Sequence, residues 1–179
     1  MISRERIREI LALKRTPRTG WFAVGVDAPE SIADHTCSTA LLVWQLSRET
    51  PGTDPHRCVL MALLHDLHEA RLGDIPTPAK RHFPDGAIDA AERSIVAEQW
   101  ADDPEARGLL AEFLDGQSAD ARLVRAADHL EFLFQAAEYR REGRPLTERM
   151  LRRAHGGAAW DHPATRPWVE ELLAELDGP

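Results

Sequence analysis

His65 and Asp66 directly follow six apolar residues, Val59-Leu60-Met61-Ala62-Leu63-Leu64. An ionised carboxylate in such a setting is costly unless something compensates it, and buried charges are generally paired or bound to a metal. A divalent cation would serve. At ~100° per residue on an α-helix, His65, Glu69 and Asp66 fall at about 0°, 40° and 100° around the axis. All three then share one face, with Glu69 between the other two. A cation on His65 and Asp66 leaves Glu69 beside it, near a water to be activated. His68 points to the other side of His65 and reads as a surface residue or a support, not a ligand.

Two further residues repeat the pattern. Asp128 lies in Leu123-Val124-Arg125-Ala126-Ala127-Asp128-His129-Leu130, a segment that becomes strongly apolar at Phe132-Leu133-Phe134. His35 follows Asp34 in the first turn of another helix. Taken singly, each has an ordinary explanation: His35 as a satisfied histidine, Asp128 as an ion-pair partner of Arg122 or Arg125. The adjacent His65-Asp66 pair resists such an explanation. Three helices each offering inward-pointing ligands is a common way to build a metal site in a helical protein.

The elements that must carry these residues read as helices throughout. Ser3 caps a first helix with Ile7, Ile10 and Leu11 on one face; Thr16-Pro17-Arg18-Thr19-Gly20 breaks it, and Trp21 to Pro29 is a loop. Ser31-Ile32-Ala33-Asp34 resembles a capping box and starts a second helix, running to about Glu49. Asp54-Pro55 opens a third, expected to reach about Arg71 with Gly73 past its end and to be buried on every face. Further helices are predicted over roughly Asp85–Trp100, from Asp103-Pro104 to Gly116, from Ser118 to about Glu142, and near Leu146–Ala154 and Thr165–Leu176. No segment reads as a convincing strand. The fold class is therefore all-α, about eight helices, in one domain over residues 1–179.

Composition narrows the function. The net charge is −8 and the basic residues are scattered, apart from Lys14, Arg15 and Arg18, so no nucleic-acid polymer is expected as partner. Any phosphate ligand must rely on local positive charge. Cys37 and Cys58 read as small buried hydrophobes. No apolar run reaches the ~18 residues that span a membrane, and Met1-Ile2-Ser3-Arg4 leads into an amphipathic segment, not a signal peptide. A cytoplasmic protein is expected.

The order His35, His65-Asp66, Asp128 resembles that of HD-domain proteins. The blocks Lys14-Arg15-Thr16-Pro17-Arg18-Thr19-Gly20-Trp21, Pro29-Glu30-Ser31-Ile32-Ala33-Asp34-His35, His65-Asp66-Leu67-His68-Glu69 and Gly73-Asp74-Ile75-Pro76 are similar to the 5′-deoxynucleotidase branch. The likeness continues through Gln135-Ala136-Ala137-Glu138-Tyr139 and His162-Pro163. It implies an HD-domain helical bundle, a tendency to homodimerise, and one divalent metal on His35, His65, Asp66 and Asp128. It also implies catalytic roles for Glu69 and Asp74, and a nucleoside 5′-monophosphate, deoxy or ribo, contacted by Arg18 and Trp21. Thr19-Gly20 separates these last two, as in the eukaryotic-like subgroup. Trp21 is thus either a substrate contact or ordinary packing, and Lys80 is a weaker phosphate candidate.

A site of imidazoles and carboxylates suits Mn²⁺, Co²⁺, Fe²⁺, Ni²⁺ or Zn²⁺ better than Ca²⁺ or Mg²⁺. The implied reaction is in-line attack of water on phosphorus. Glu69 and Asp74 divide the acid and base roles, and either assignment fits. Rival reactions keep the metal: cyclic-nucleotide or alarmone phosphodiesterase, triphosphohydrolase, a phosphatase for a modified nucleotide, or a di-iron oxygenase with His68, His82 or His129 as extra ligands. A non-catalytic binding module is the remaining rival.

Overall fold

The computed structural model describes residues 2–144, 147–152 and 154–177. Among them the secondary structure is helical, apart from an isolated antiparallel bridge between Pro17 and Ser31. The helices are α1 (Arg4–Ala12), α2 (Ile32–Glu49), α3 (Pro55–Leu64), α4 (Glu69–Leu72), α5 (Thr77–Lys80), α6 (Ala87–Gln99), α7 (Pro104–Asp115), α8 (Ala119–Arg141), α9 (Glu148–Leu151), α10 (Ala158–Asp161) and α11 (Arg166–Asp177). The expected number was about eight; α4, α5, α9 and α10 are single four-residue turns too short to leave a periodic pattern. The helix expected from Leu146 begins outside the described residues, and what is described of it is α9. The expected loop after Gly20 contains a short 3-10 helix, Thr19–Val24.

Local capping sets where the main helices start. Ser3 Oγ accepts from Arg6 N at 3.0 Å at the head of α1. Ser31 and Asp34 form the reciprocal capping box of α2. The Asp54 side chain caps α3 ahead of a proline in its first turn, and Asp103 and Ser118 cap α7 and α8. Gly116 ends α7 at φ 65°, a left-handed conformation that an L side chain adopts only with strain.

The long helix α8 is the axis of the molecule. It packs against α2, α3, α7, α9, α10 and α11. One end of its core gathers Leu130, Leu133, Ala136 and Tyr139 with Trp21, Leu151 and Val169. The other joins Leu123, Val124 and Ala127 to Val43, Met61 and Phe113. The cores thus run on either side of Asp128, whose side chain stays 32% exposed where it lines the cleft.

Three expectations are corrected. The helix that starts at Pro55 stops at Leu64 instead of reaching Arg71. From there the backbone tightens to i→i−3 bonds: Leu67 N to Leu64 O, Glu69 N to Asp66 O and Ala70 N to Leu67 O. The His65 ring favours this change by donating Nδ1–H to Ala62 O at 2.6 Å, the carbonyl that the next α-helical N–H would have used. Nor is α3 buried all round. Cys58, Met61 and Ala62 are inside, whereas Leu60 and Leu63 are 40% and 48% exposed. Cys58 is buried as expected, but Cys37 is exposed on α2. Separately, the apolar face of α1 formed by Ile7, Ile10 and Leu11 is exposed. No helix of the described residues is long and apolar enough to cross a membrane.

Candidate metal centre and substrate cleft

The capping box fixes how α2 enters, and so where its first turn puts His35. That ring is fully buried, and its Nδ1 lies 2.6 Å from Glu131 Oε2. With Nδ1–H given to Glu131, the lone pair of Nε2 faces the other way. His65 is arranged alike: Nδ1–H goes to Ala62 O, which leaves Nε2 as the free donor atom. Both Nε2 atoms are buried and make no hydrogen bond. Such orphaned nitrogens are costly unless something else occupies them.

Carboxylates face these nitrogens. Asp66 Oδ2 is 3.1 Å from His65 Nε2 and 3.7 Å from His35 Nε2. Asp128 Oδ1, from α8, is 3.0 Å from His35 Nε2. One ligand atom from each of His35, His65 and Asp66 lies within 4.8 Å of the others, a grouping that could hold a metal ion. Two imidazole nitrogens and the Asp66 carboxylate, with orphaned nitrogens aimed inward, form a donor set that fits a divalent transition metal; Asp128 approaches the set through His35 but lies outside that three-residue grouping.

The charges obey the same geometry. Burial opposes a proton on His35, but Asp128 and Glu131 outweigh it and raise its pKa to about 10. Burial likewise opposes protonated His65, and the Asp66 carboxylate outweighs it. For Asp66, burial pushes the carboxyl up, yet His65, His35 and Arg18 hold it well below its ordinary value. Asp128 is lowered to about 2, with His35 overcoming the effect of burial. A metal-free pocket therefore gathers protons on its histidines to do what a cation would do.

Glu69 behaves oppositely. Burial, then the nearby negative charges of Asp66 and Asp74, push its pKa up to about 9. Its Oε2 is buried without a hydrogen-bond partner. The tightened turn explains its position. With i→i−3 bonding, residues three apart eclipse, so Glu69 stands over Asp66 on the cleft wall. The uniform helical wheel placed it between His65 and Asp66 instead; the conclusion that it lies beside the donor cluster survives, but for a different geometric reason.

Arg18 reaches this group from the segment before α2. The Pro17–Ser31 bridge holds it, through Arg18 N to Glu30 O at 3.0 Å and Ile32 N to Thr16 O at 2.9 Å. Its Nη1 is 3.7 Å from Asp66 Oδ2 and its Nε 3.9 Å from Glu30 Oε1. Asp74 fastens the same segment: its Oδ2 accepts from Thr19 N, from Thr19 Oγ1 at 3.0 Å and from Gly20 N at 3.4 Å. One oxygen of Asp74 is thus occupied in holding the arginine loop. Lys14 and Arg15 do not line the cleft; of that basic group, Arg18 does.

These residues open onto a cleft of about 360 Å³. Asp66, Glu69, Asp74, Asp128 and Arg18 line it, and so do Trp21 and Lys80. Trp21 is only 1% exposed. Its Nε1–H is bonded to Glu30 Oε1 at 3.0 Å, and its ring stacks on Phe132 with centroids 4.8 Å apart. It is chiefly a packed wall of the cleft, which reconciles the two readings of this residue. His68, expected at the surface or as a support, is buried, with Nδ1 on His65 O at 3.0 Å. None of His68, His82 and His129 joins the donor cluster.

Sequence reading missed Glu131 and Glu30. Glu131 sits among Leu130, Phe132 and Leu133, one helical turn after Asp128. An acidic residue inside that apolar stretch was a usable signal of the same kind as Asp66. Glu30 left none, because its role depends on the chain folding back over Trp21 and Arg18.

An HD-domain family model matches residues 10–158. The 5′-deoxynucleotidase HDDC2 of Homo sapiens is 32% identical over 176 residues, covering 94% of this chain and 83% of the relative. The 5′-deoxynucleotidase hdd1 of Schizosaccharomyces pombe is 28% identical over 173 residues, covering 92% and 85%. A solved structure of a conserved hypothetical protein from Pyrococcus furiosus superposes with a TM-score of 0.80 at 28% identity, over 96% of this chain and 99% of that one. With the fold, the ordered histidines and aspartates and these relatives in agreement, the chain belongs to the HD-domain family.

Proposed function

We propose that the protein is a metal-dependent phosphohydrolase that releases phosphate from deoxynucleoside 5′-monophosphates. The observation that carries this reading is the pair of orphaned Nε2 atoms of His35 and His65, facing Asp66 and Asp128, in a cleft that also contains a carboxyl with a raised pKa and a half-buried arginine. The names of the human and fission-yeast relatives support the substrate class.

His35, His65, Asp66 and Asp128 would hold one divalent metal, Mn²⁺, Co²⁺, Fe²⁺, Ni²⁺ or Zn²⁺. Such an ion neutralises phosphate charge and lowers the pKa of water. Arg18 binds the phosphate oxygens, its guanidinium suited to a two-point contact, and Lys80 adds charge at the rim. Water attacks phosphorus in line as the bond to the 5′-oxygen breaks. Glu69, whose carboxyl is pushed up from its ordinary range in the metal-free pocket by burial and then by Asp66 and Asp74, donates its proton to that leaving oxygen. Asp74 orients the water with its remaining oxygen and takes up the proton the water loses, while its other oxygen holds the loop that carries Arg18. Trp21 shapes the nucleoside end. A single domain over residues 1–179, a cytoplasmic homodimer and a small nucleotide as ligand, without a nucleic-acid polymer, complete the reading. Exposed Leu41, Phe134 and Trp168 around one apolar groove support the dimer.

The test is to strip the protein of metal, restore Mn²⁺ or Co²⁺, and measure phosphate release from deoxy- and ribonucleoside 5′-monophosphates. Release that depends on metal supports the reading; none from any 5′-monophosphate sinks it.

Three smaller outcomes are expected. Arg18→Lys keeps the charge but loses the fork, and should raise KM for the nucleotide about 10–100-fold, in line with a charge-assisted bond; steady-state kinetics read this. Glu131→Gln should weaken metal affinity about 10–100-fold, the usual scale for losing a group that orients a ligand histidine; competition with a chromophoric chelator measures it. Metal affinity should also rise with pH. His35 has its pKa raised to about 10 in the metal-free protein and must lose its proton to bind. Uptake below that pH therefore releases protons, whereas Asp66 and Asp128, already ionised, release none. Calorimetry in buffers of different ionisation enthalpy counts the protons; a count of zero at pH 7 contradicts the assignment.

A further inference from the structure

His129 follows Asp128 on α8, and its ring lines the cleft. The proposed chemistry gives it no task, yet it is held firmly. Its ring lies nearly parallel to Phe132, at 15° with centroids 6.1 Å apart. The backbone N–H of Ala159 donates to its Nδ1 at 3.2 Å. Gly157 passes so closely that a Cβ there would stand 2.1 Å from His129 Cε1. The turn entering α10 is thus fitted around this ring.

The bond from Ala159 settles the tautomer. A nitrogen that accepts an N–H carries no proton of its own, so the ring is neutral and its proton sits on Nε2. Among the described residues no acceptor takes this Nε2–H, and the atom is not sealed in the interior. A neutral donor with no acceptor among the described residues is therefore fixed on a residue that lines the cleft.

We propose that His129 is a specificity-determining residue whose Nε2–H donates to an uncharged acceptor on the nucleoside part of the substrate, a sugar oxygen or a base nitrogen or carbonyl. The inference rests on the nucleotide reading above. A phosphate would be served by Arg18, and a neutral imidazole is a poor competitor with a guanidinium for a dianion. Next to His129 stands Phe132, itself stacked on Trp21. A donor beside an aromatic wall suits the flat, polar-edged body of a nucleoside. Because the ring is anchored before the ligand arrives, little ordering is needed on binding, and a ligand lacking the acceptor leaves the donor unpaired.

The experiment compares the wild type with His129→Phe, Gly157→Ala and His129→Gln. His129→Phe keeps the ring and deletes the donor. Gly157→Ala leaves His129 in the sequence but displaces its ring. His129→Gln carries both an acceptor for Ala159 N–H and a donor. Calorimetry with each of the four deoxynucleosides should show binding to the wild type, about tenfold weaker in the first two variants, the scale of one neutral hydrogen bond, and regained in His129→Gln. The kcat/KM for a deoxynucleoside 5′-monophosphate, divided by that for phenyl phosphate, should fall by the same factor and through KM. The proposal is overturned if no deoxynucleoside binds, if His129→Phe and Gly157→Ala bind as tightly as the wild type, or if both esters lose the same factor. Failure of the wild type to hydrolyse either ester would instead sink the phosphohydrolase reading, and the binding comparison would still decide the role of His129.

Discussion

Glu69→Gln should lower kcat about 10²–10⁴-fold, the usual contribution of a positioned general acid, while metal stays bound. Gln keeps the shape of the side chain and a hydrogen-bond donor, but it has no proton to give to the leaving oxygen. The wild-type group is suited to that step because burial, Asp66 and Asp74 raise its pKa to about 9, so its acid form persists at neutral pH. A bound cation acts against the push of Asp66; the effect of burial stays. In wild type the acid-dependent limb should fall as pH rises through the Glu69 pKa, and in Glu69→Gln that limb should vanish. Loss of metal from the variant would show that Glu69 is a ligand instead.

The same substitution carries a stability signature. The folded pKa of Glu69 lies above its ordinary value. Its carboxyl therefore costs nothing below the unfolded pKa, and costs progressively more as pH rises toward about 9, where the buried group ionises. Metal-free Glu69→Gln should melt higher than metal-free wild type at pH 8, and no higher at pH 4. A loss of Tm at both pH values would mean that Glu69 is a structural residue.

Asp66→Ala should weaken metal binding at least about 10²-fold and abolish turnover. Ligands that are merely well oriented by a neighbour account for 10–100-fold, so loss of a ligand itself must exceed that. Asp66 faces both histidines, at 3.1 and 3.7 Å, and it is the carboxylate that holds the proton on His65. Without it, protonated His65 loses its main counter-charge in a fully buried position, and its pKa should fall. Metal-free Asp66→Ala should therefore show a His65 resonance that titrates lower than in wild type by NMR. An unchanged metal affinity would remove Asp66 from the ligand set and leave the apolar setting of the His-Asp pair unexplained.

Much of this arrangement was legible because polar residues interrupt apolar runs. Asp66, Asp128 and His65 each stand where burial demands a partner, and the resemblance to HD-domain proteins joined them to His35. Helix starts were legible for a similar reason: Ser31, Asp54, Asp103 and Ser118 are strong caps with visible signatures. Helix ends were harder. Hydrophobic periodicity does not mark Leu64 as the last α-helical residue; the change to i→i−3 bonding accompanies the His65 ring reaching back to Ala62 O, a side-chain conformation that the pattern does not reveal. The fastening of Asp74 onto Thr19 and Gly20 joins segments 55 residues apart and has no sequence signal. The exposure of Leu60 and Leu63 escaped for another reason: hydrophobicity says that a residue favours burial, and the number of neighbouring helices decides how many faces can be covered.

The central claim is that one metal, held by His35, His65, Asp66 and Asp128, supports phosphomonoester hydrolysis. Stripped protein can be titrated with Mn²⁺ while phosphate release from a deoxynucleoside 5′-monophosphate is followed. Release should climb from background and level off at one equivalent per chain. No release at any loading, or a plateau that requires two equivalents, would contradict the account.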